Sequence, residues 1–388
     1  MIQWDSSENH VFLNPRLPES EKQRLMLIFN QASSDLKGHI FIQSSGTSQT
    51  SDQKLKWIAL SKEAFLIAAR SVNQHLGVSS QDRWLQLLPQ FHVGGLAIWA
   101  RSFLSGAPVV SETQWRVFDL VHSLERDSIS LLSLVPAQVF DLVQNQIRCP
   151  RSVRFVLVGA GVLSPSLYEQ ARKLGWPLLS TYGMTEMCSS VAITDPEAMH
   201  EETFQLLNVL PHVQLQVSSQ GFAEIQSKAL FTAYLDEGSL GQSVWLDPKR
   251  PDGVFQTSDR VSWSGSRLQI LGRESDFIKI GGESVELNRL RSLLEQLKLE
   301  LSLSADLVLV PFPDARLGHV IHLVSDPQLS ESQFEALKER YQAQVLPFEK
   351  IRFWHILPEI PRTELKKFKQ VECIRLLMQN ELSSLRMI

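Results

Sequence analysis

The chain has 388 residues, which corresponds to two or three folding units at roughly 150 residues per domain. Its hydrophobic fraction of 43% and charged fraction of 21% are ordinary for a globular protein with a sizeable core, which excludes wholesale disorder. With 38 basic against 42 acidic residues, the formal net charge of -4 offers no general attraction to nucleic acid or to anionic membranes. Any anionic ligand must therefore be held by a local site.

Cysteine usage and the N-terminal sequence predict a cytoplasmic protein. Cys149, Cys188 and Cys373 lie far apart and form no CxxC pair, which argues against a structural zinc site or a disulfide framework. The first ten residues are polar and show no basic segment followed by an apolar one, so we expect no export. No apolar run reaches the roughly 18 residues of a membrane span.

Residues 20 to 190 alternate between helical and strand periodicity. Ser61 is a candidate N-cap for a helix that ends at Gly77. Further helices are predicted at 96–105, 117–127 and 166–174, and strands at 83–88, 131–135, 153–158 and 177–181. This alternation predicts an α/β fold with a mainly parallel sheet flanked by helices. Such sheets bind ligands in the loops beyond the carboxyl ends of their strands.

A β-rich stretch and a smaller unit follow. Residues 205–271 show strand alternation with turn residues, which predicts an antiparallel subdomain attached to the first domain. After Gly272, the pattern predicts a small α+β unit with helices at 286–299 and 331–344 and strands at 306–310, 319–324 and 351–357. The expected domains are therefore 1–271 and 272–388.

Two loops in the first domain have the composition of ligand sites. Ser45, Gly46 and Thr47 follow the strand-like run 40–42, and such a loop either cradles phosphate with its amides and hydroxyls or is simply a turn. Lys54 and Lys56 lie near enough to add positive charge. Gly159, Ala160 and Gly161 follow a second strand, where a flat ring could rest on the backbone.

A histidine and a short polar segment are further candidates. His92 precedes two glycines where a strand gives way to a helix; a lone histidine of this kind is either a ligand contact or an ordinary packed residue. The segment Ser180–Met187 places Tyr182, Gly183, Thr185 and Glu186 after a strand. That set can stack on a ring, contact phosphate and coordinate Mg²⁺ through oxygen.

Three motifs fall later in the chain. Asp259 lies in a predicted loop, where its carboxylate could accept hydrogen bonds from vicinal ribose hydroxyls. The segment Gly272–Glu286 spans the predicted domain boundary and contains the pair Gly281–Gly282. Near the C-terminus, the sequence Ile-Pro-Arg-Thr-Glu-Leu-Lys-Lys ends in Lys366 and Lys367, which by composition alone are a solvated basic pair.

Together, these motifs resemble the signature series of the adenylate-forming acyl/aryl-CoA synthetase superfamily. The resemblance rests on their order: Ser-Gly-Thr, Phe-His-x-x-Gly, Tyr-Gly-x-Thr-Glu, Thr-x-Asp, Gly-Arg-x-x-Asp-x-Ile-Lys-x-x-Gly-Glu and Pro-Arg-Thr-x-x-x-Lys. It covers residues 40 to 370. The segment from Gln90 to Ala107 is most similar to the o-succinylbenzoate–CoA ligases of menaquinone biosynthesis.

The resemblance implies an AMP-forming acid–CoA ligase with ATP and Mg²⁺ as cofactors, CoA as co-substrate and a small mobile C-terminal domain. A carboxylate would attack the α-phosphate of ATP, and CoA would then displace AMP after the C-terminal domain rotates about residues 272–276. The implied contacts are Thr185 to the α-phosphate, Glu186 to Mg²⁺, Asp259 and Arg273 to the ribose, Gly159–Gly161 and Tyr182 to adenine, His92 near the carboxylate, and Lys367 to the developing charge. The loop Lys279–Glu283 would replace Lys367 in the second step.

The sequence departs from the family pattern in ways that leave alternatives open. The N-terminal region is expected to be shortened, Lys366 replaces the usual glycine, and either Lys54 or Lys56 is the loop lysine. Arg101 is either a contact for a second substrate carboxylate or a surface or structural residue. The acid is expected to be o-succinylbenzoate, with a benzoate, a fatty acid or another aryl acid as alternatives. Two other functions remain: an adenylating enzyme that loads a carrier protein, and a degenerate nucleotide-binding protein.

Overall fold

The computed structural model describes residues 2–32, 36–43, 57–112, 114–197, 206–237, 243–363, 366–380 and 386–387. Its α-helices are α1 (Glu19–Ala32), α2 (Lys62–Leu76), α3 (Val93–Ser105), α4 (Val117–Arg126), α5 (Pro136–Gln144), α6 (Pro165–Lys173), α7 (Leu287–Glu300), α8 (Glu331–Gln342) and α9 (Gln370–Asn380). No helix within these ranges is both long and apolar enough to cross a bilayer.

The strands up to residue 273 are β1 (His10–Phe12), β2 (His39–Gln43), β3 (Trp57–Ser61), β4 (Trp84–Gln86), β5 (Val109–Ser111), β6 (Leu131–Leu134), β7 (Phe155–Val158), β8 (Leu178–Met184), β9 (Ser189–Ile193), β10 (Leu206–Val209), β11 (Gln214–Val217), β12 (Phe222–Gln226), β13 (Ala233–Glu237), β14 (Ser243–Leu246), β15 (Phe255–Ser264) and β16 (Arg267–Arg273). The later strands are β17 (Phe277–Ile280), β18 (Glu283–Glu286), β19 (Leu307–Asp314), β20 (Gly318–Ser325), β21 (Ile351–Ile356) and β22 (Arg386–Met387).

An eleven-stranded sheet runs in the order β11-β12-β15-β16-β10-β9-β8-β7-β6-β4-β5. Strands β4 to β8 pair in parallel, which confirms the predicted parallel sheet. The remaining strands of this sheet are joined by antiparallel pairs. The strands of 205–271 are therefore antiparallel as predicted, but they extend this sheet or join a second one, β1-β2-β3-β13-β14, rather than forming a sheet of their own.

The helix predicted after Ser61 shows how local sequence sets local structure. The Ser61 side chain accepts a hydrogen bond from the backbone N–H of Ala64, and Gly77 ends α2 with φ of 59°. A glycine tolerates this left-handed conformation because it has no Cβ. The buried face of α2, which includes Phe65, Ala68 and Ala69, then packs into a hydrophobic cluster of the large unit.

The C-terminal unit is a four-stranded sheet, β19-β20-β21-β22, with helices on both faces. Leu290, Leu294 and Leu297 of α7 pack with residues of α8 on one face. Cys373 and Leu377 of α9 pack on the other face. The predicted strands and the first two helices of this unit are present, whereas the sequence patterns predicted neither α9 nor, in the large unit, α5.

Candidate active site

Gly183 shapes the turn between β8 and β9. A Cβ at this position would lie 2.1 Å from the carbonyl oxygen of Ser189, which is far inside contact distance. Only glycine therefore allows the backbone of β8 to approach β9 here. The chain then enters a short 3-10 helix, Thr185–Met187, which presents Thr185 and Glu186 at partly exposed positions.

Asp259 is held between two partners. The buried Tyr182 hydroxyl donates to its Oδ2 at 2.7 Å, and the Arg273 Nε donates to its Oδ1 at 3.1 Å. Burial, and then the neighbouring carboxylate, raise the pKa of Tyr182 well above its usual value, so the hydroxyl stays a donor. Because a carboxylate has about four lone-pair sites, each Asp259 oxygen can accept a further hydrogen bond.

The prediction that Thr257 to Asp259 form a loop is wrong. These residues lie in β15, where Asp259 is opposite Arg273 on β16. Thr257, Asp259 and Val261 are buried while Ser258 is exposed, so the strand alternation is present. It was hidden because two of the inward positions hold polar side chains, and the Thr257 hydroxyl accepts from the Asp259 N–H at 3.1 Å.

Glu186 is positioned by residues that the sequence did not reveal. The Tyr234 hydroxyl of β13 donates to Glu186 Oε1 at 2.8 Å, and the Phe231 N–H donates to the Glu186 carbonyl at 2.7 Å. Burial and the adjacent carboxylate raise the pKa of Tyr234. A lone tyrosine in a strand carries no spacing signal, so only the three-dimensional pairing identifies Tyr234.

The charges of Arg273, Asp259 and Glu186 also act on Lys367 of the C-terminal unit. Burial, followed by the charge of Arg273, lowers the pKa of its amine to about 8, while Asp259 and Glu186 oppose the shift. Lys367 therefore lies within electrostatic range of residues from β15, β16 and the 3-10 helix. We call Tyr182, Glu186, Asp259, Arg273 and Lys367 the two-unit cluster.

The Pro-Arg-Thr segment fixes the position of Lys367. Arg362 donates to both Asp306 carboxylate oxygens, through Nε at 2.9 Å and Nη2 at 2.7 Å, and its Nη1 donates to the Lys366 carbonyl at 2.9 Å. The Thr363 N–H donates to the Lys367 carbonyl at 2.8 Å, and the Lys367 N–H donates to the Thr363 hydroxyl at 3.1 Å. A bidentate arginine–carboxylate pair has a defined geometry, so the motif acts as a clamp for this loop.

Lys366 and Lys367 face different carboxylates. Lys366 is exposed, and its charge acts on the pKa of Asp141 in α5 rather than on the two-unit cluster. Its backbone has φ of 58°, a left-handed conformation that explains why glycine is the residue expected at this position. The geometry therefore favours Lys367 over Lys366 as the lysine of the two-unit cluster.

His92 and the glycine loop lie at the carboxyl edge of the parallel sheet. His92 is the N-cap residue of α3, and the two glycines that follow let the 88–92 loop pack on that helix, since a Cβ at Gly95 would lie 2.2 Å from the Pro89 carbonyl oxygen. After β7, Ala160 has φ of 65°, and both Ala160 and Gly161 are exposed. This leaves a shallow backbone surface at the edge where ligands bind in such sheets.

Arg101 is buried, which excludes a surface position and leaves a substrate contact or a structural role. Its guanidinium lies 5.4 Å from the centroid of the Trp84 ring, and Nη2 donates to the Ser189 hydroxyl at 3.1 Å. No carboxylate in the described part of the chain acts on it, and burial lowers its pKa to about 10. A buried cation with no acidic partner among these residues is suited to an anionic ligand group.

The segment between the two units is tightly bonded. Asp276 accepts hydrogen bonds from the Arg273 N–H, the Asn288 side chain and Arg291, at 2.9, 3.1 and 2.9 Å. Gly272 has φ of 124° and leaves no room for a Cβ, which would lie 2.6 Å from Asn288 Nδ2. The 279–283 turn is exposed apart from Ile280, and Lys279 has no described contact with the two-unit cluster.

The phosphate-loop candidates Ser45, Gly46, Thr47, Lys54 and Lys56 lie outside the described residues. Among the described residues, no three His, Cys, Asp or Glu side chains form a metal-binding group. A single carboxylate such as that of Glu186 is nevertheless compatible with Mg²⁺, because Mg²⁺ in nucleotide sites is held by one or two carboxylates together with substrate phosphates and water.

Comparisons with known proteins agree with this geometry. Residues 44–221 match the model of the AMP-binding enzyme family. The 2-succinylbenzoate–CoA ligase of Bacillus subtilis is 30% identical over 229 residues, which cover 57% of this chain and 46% of the relative. The chain thus spans about half the length of the first curated relatives that it matches.

Two solved structures of o-succinylbenzoate CoA synthetase from Bacillus subtilis have the same fold. The complex with the acyl-adenylate OSB-AMP superposes with a TM-score of 0.72 at 24% identity, covering 85% of this chain and 68% of the other. The complex with ATP and magnesium ion has a TM-score of 0.70 at 24% identity, with the same coverages of 85% and 68%. The chain therefore has the fold of adenylate-forming enzymes.

Proposed function

We propose that this chain, whose residues 44–221 match the AMP-binding enzyme family, is an ATP-dependent ligase that converts o-succinylbenzoate to its acyl-AMP and then to its CoA thioester. The observation that carries the proposal is the two-unit cluster: the charges of Asp259, Arg273 and Glu186 in the large unit act on Lys367 of the C-terminal unit, whose loop is held by the Arg362–Asp306 pair. A protein that only binds nucleotide has no use for a clamped, half-buried lysine supplied by a second unit. The names of the similar proteins support the choice of acid.

In the first step, the substrate carboxylate attacks the α-phosphate and pyrophosphate leaves. An anion that attacks a polyanion needs fixed positive charge, which the Lys367 ammonium supplies between the two reacting groups. The proposed nucleotide contacts are Asp259 and Arg273 to the ribose, Gly159–Gly161 with Tyr182 and Gly183 to adenine, Thr185 to the α-phosphate, and Ser45, Gly46 and Thr47 to the outer phosphates. Mg²⁺ held at Glu186 would neutralise phosphate charge, and His92 would lie beside the carboxylate.

In the second step, the CoA thiol attacks the acyl carbon and AMP leaves. We infer that the unit 272–388 first turns relative to 1–271 about residues 272–276, which withdraws Lys367 and brings the exposed Lys279–Glu283 turn to the site. Gly272 supports this place for the hinge, because its φ of 124° lies in a region that glycine adopts at little cost.

The second carboxylate of o-succinylbenzoate requires a cation. Arg101 meets this requirement because it is buried and lacks an acidic partner among the described residues. It lies on α3, the helix that His92 begins, and contacts Ser189 beside Gly183. We therefore assign the second carboxylate to Arg101 and the reacting carboxylate to the side of His92.

The test is pyrophosphate release with ATP and Mg²⁺ across o-succinylbenzoate, simple benzoates and fatty acids, with and without CoA. We expect release that depends on o-succinylbenzoate and a thioester that depends on CoA. Arg101→Gln should lower turnover of o-succinylbenzoate by tenfold or more, in line with the loss of a charged hydrogen bond, and spare any residual turnover of benzoate. Release without thioester would instead favour an enzyme that loads a carrier protein, and no release with any acid would contradict adenylation.

A further inference from the structure

Helix α7 has a second face that packs against the large unit rather than in the core of the C-terminal unit. Leu290, Leu294 and Leu297 pack in the C-terminal core. Glu295, Lys298 and Leu299 stand at positions i, i+3 and i+4 and so share a different face of the helix. Leu299 joins the hydrophobic cluster of the large unit that contains residues of α5 and α6. The C-terminal half of α7 is therefore a contact between the two units.

Lys298 contacts an aromatic ring across this interface. Its Nζ lies 4.5 Å from the centroid of the Phe140 ring on α5. Burial lowers the pKa of Lys298, and Asp306, Asp326 and Glu295 oppose the shift from beyond ion-pair distance. None of the described carboxylates forms an ion pair with Lys298, whereas the Phe140 ring lies within cation–π distance. A cation–π contact of this kind is stronger when the ammonium is desolvated.

Glu295 meets the large unit one turn earlier. The buried Ser164 hydroxyl opposes the rise in the Glu295 pKa, so the two groups are near each other, and Ser164 also caps α6 by accepting a hydrogen bond from the Leu167 N–H at 3.3 Å. A serine hydroxyl has one donor and two acceptor sites, so Ser164 can cap α6 and donate to Glu295 at once. Burial raises the pKa of Glu295 to about 7.

The other end of α7 is bonded to the segment between the units. Asn288 and Arg291 both donate to Asp276, and Arg291 Nη2 donates to the Gln370 side chain at 2.9 Å, close to the Lys367 loop. One rigid helix thus connects the inter-unit segment and the start of α9 to the contact with α5 and α6.

We propose that Glu295, Lys298 and Leu299, which we call the α7 latch, hold the C-terminal unit on Ser164 and Phe140 in the one orientation that places Lys367 in the two-unit cluster. The inference rests on the proposed function. Glu295, Lys298 and Leu299 are positioning residues for adenylation, the first step of the proposed reaction. Thioester formation requires the other orientation, so the latch must open between the two steps. A weakened latch should therefore slow adenylation and spare or accelerate thioester formation.

The half-reactions test the latch. Adenylation is measured as acid-dependent pyrophosphate release, and thioester formation is measured from chemically prepared acyl-AMP and CoA. Lys298→Met, which keeps the length and apolar character of the side chain, should lower adenylation roughly tenfold, as expected for loss of a desolvated cation–π contact. It should leave thioester formation equal or faster, and Lys298→Arg should restore adenylation.

Lys338→Met is the matched control. The Lys338 ammonium lies 5.8 Å from the Phe334 ring centroid within α8, so its loss removes a cation–π contact that does not join the two units. We expect both half-reactions of this variant to match those of the unmodified protein. An equal fall of both half-reactions in Lys298→Met, or no change in either, would overturn the latch.

A second measurement does not depend on activity. Nitroxide labels at the exposed positions Gln81 and Gln328, introduced as cysteines in a Cys149→Ser background, report the distance between the two units. We expect a narrow distance distribution that broadens with Lys298→Met and does not with Lys338→Met. If no acid supports turnover, the proposed function fails, but the distance distribution still tests the latch. An unchanged distribution in Lys298→Met would overturn the latch.

Discussion

The Tyr182 hydroxyl donates to Asp259 across β8 and β15, at 2.7 Å and in a buried environment. The two residues come from motifs 77 positions apart in the chain. This bond orients the Asp259 carboxylate while Arg273 takes its other oxygen. Motifs that are separately ambiguous in the sequence therefore form one hydrogen-bonded unit in the fold.

Tyr182→Phe removes that donor and leaves the ring. We expect the free energy of unfolding to fall by about 1–3 kcal/mol, since a buried hydrogen bond to a charged group is lost. Nucleotide affinity, measured by calorimetry, should weaken several-fold because Asp259 is no longer oriented. Tyr341→Phe is the control, because its hydroxyl donates to the Glu349 carbonyl within the C-terminal unit, 3.3 Å away. Equal nucleotide affinity in the two variants would contradict the positioning role of Tyr182.

Lys366 offers a test of backbone strain beside the clamped lysine. Lys366→Gly and Lys366→Ala both remove the charge, but only glycine adopts φ of 58° without a Cβ penalty. We expect the glycine variant to be more stable than the alanine variant by about 1 kcal/mol in denaturant unfolding. Both should retain adenylation within a few-fold. Loss of adenylation in both variants would show that Lys366, rather than Lys367, supplies the charge.

The pKa of Lys367, lowered to about 8, predicts a pH effect on adenylation. The free enzyme loses the ammonium charge as pH rises through this value, so kcat/KM for ATP should fall above pH 8. In the Lys367→Arg variant the side chain keeps its charge throughout this range. The fall in kcat/KM above pH 8 should therefore disappear, whatever the absolute rate of the variant. If the fall in kcat/KM above pH 8 persists unchanged in the arginine variant, it belongs to another titrating group.

A buried histidine pair makes the C-terminal unit sensitive to acid. His355 Nε2 and His322 Nδ1 share a hydrogen bond at 2.9 Å, and burial, together with the charge of His355, lowers the pKa of His322 to about 3. The unfolded chain binds protons at the ordinary value of 6.5, so the folded state loses stability as pH falls from there toward 3.

His322→Phe should reduce this acid sensitivity, since the position already stacks on Phe312 with ring centroids 4.6 Å apart. Between pH 7 and pH 4, the unmodified protein should lose on the order of 3 kcal/mol more stability than the variant. Denaturant unfolding at both pH values measures the difference, with the exposed His122→Gln as the control. Identical pH dependence in all three proteins would exclude the histidine pair as its source.

The sequence predicted those parts of the fold that local chemistry determines. Ser61 and Gly77 mark the ends of α2 because capping depends on neighbouring backbone groups alone. The predicted strand 131–135 ends within one residue of β6, but α5, which begins directly afterwards at Pro136, was not recognised within the same apolar stretch. Polar inward residues hid the alternation of β15 around Asp259 in the same way.

Charged residues could not be placed from periodicity. Lys298 and Glu295 have the pattern of a solvated helix face, and Arg101 has that of a surface or structural position, because the sequence of one helix does not show what packs on its outer side. The motif order predicts that Lys367 and Asp259 belong to one site, but it does not predict the clamp of Arg362 on Asp306, which joins residues 56 positions apart. Such pairings depend on strand order in the C-terminal sheet, which local patterns do not determine.

The most direct measurement of the central claim compares the two half-reactions in Lys367→Ala. If Lys367 supplies charge only while the carboxylate attacks ATP, acid-dependent pyrophosphate release should fall by roughly 100-fold or more, and thioester formation from prepared acyl-AMP and CoA should continue at the rate of the unmodified protein. An equal fall in both half-reactions, or no fall in pyrophosphate release, would contradict the account.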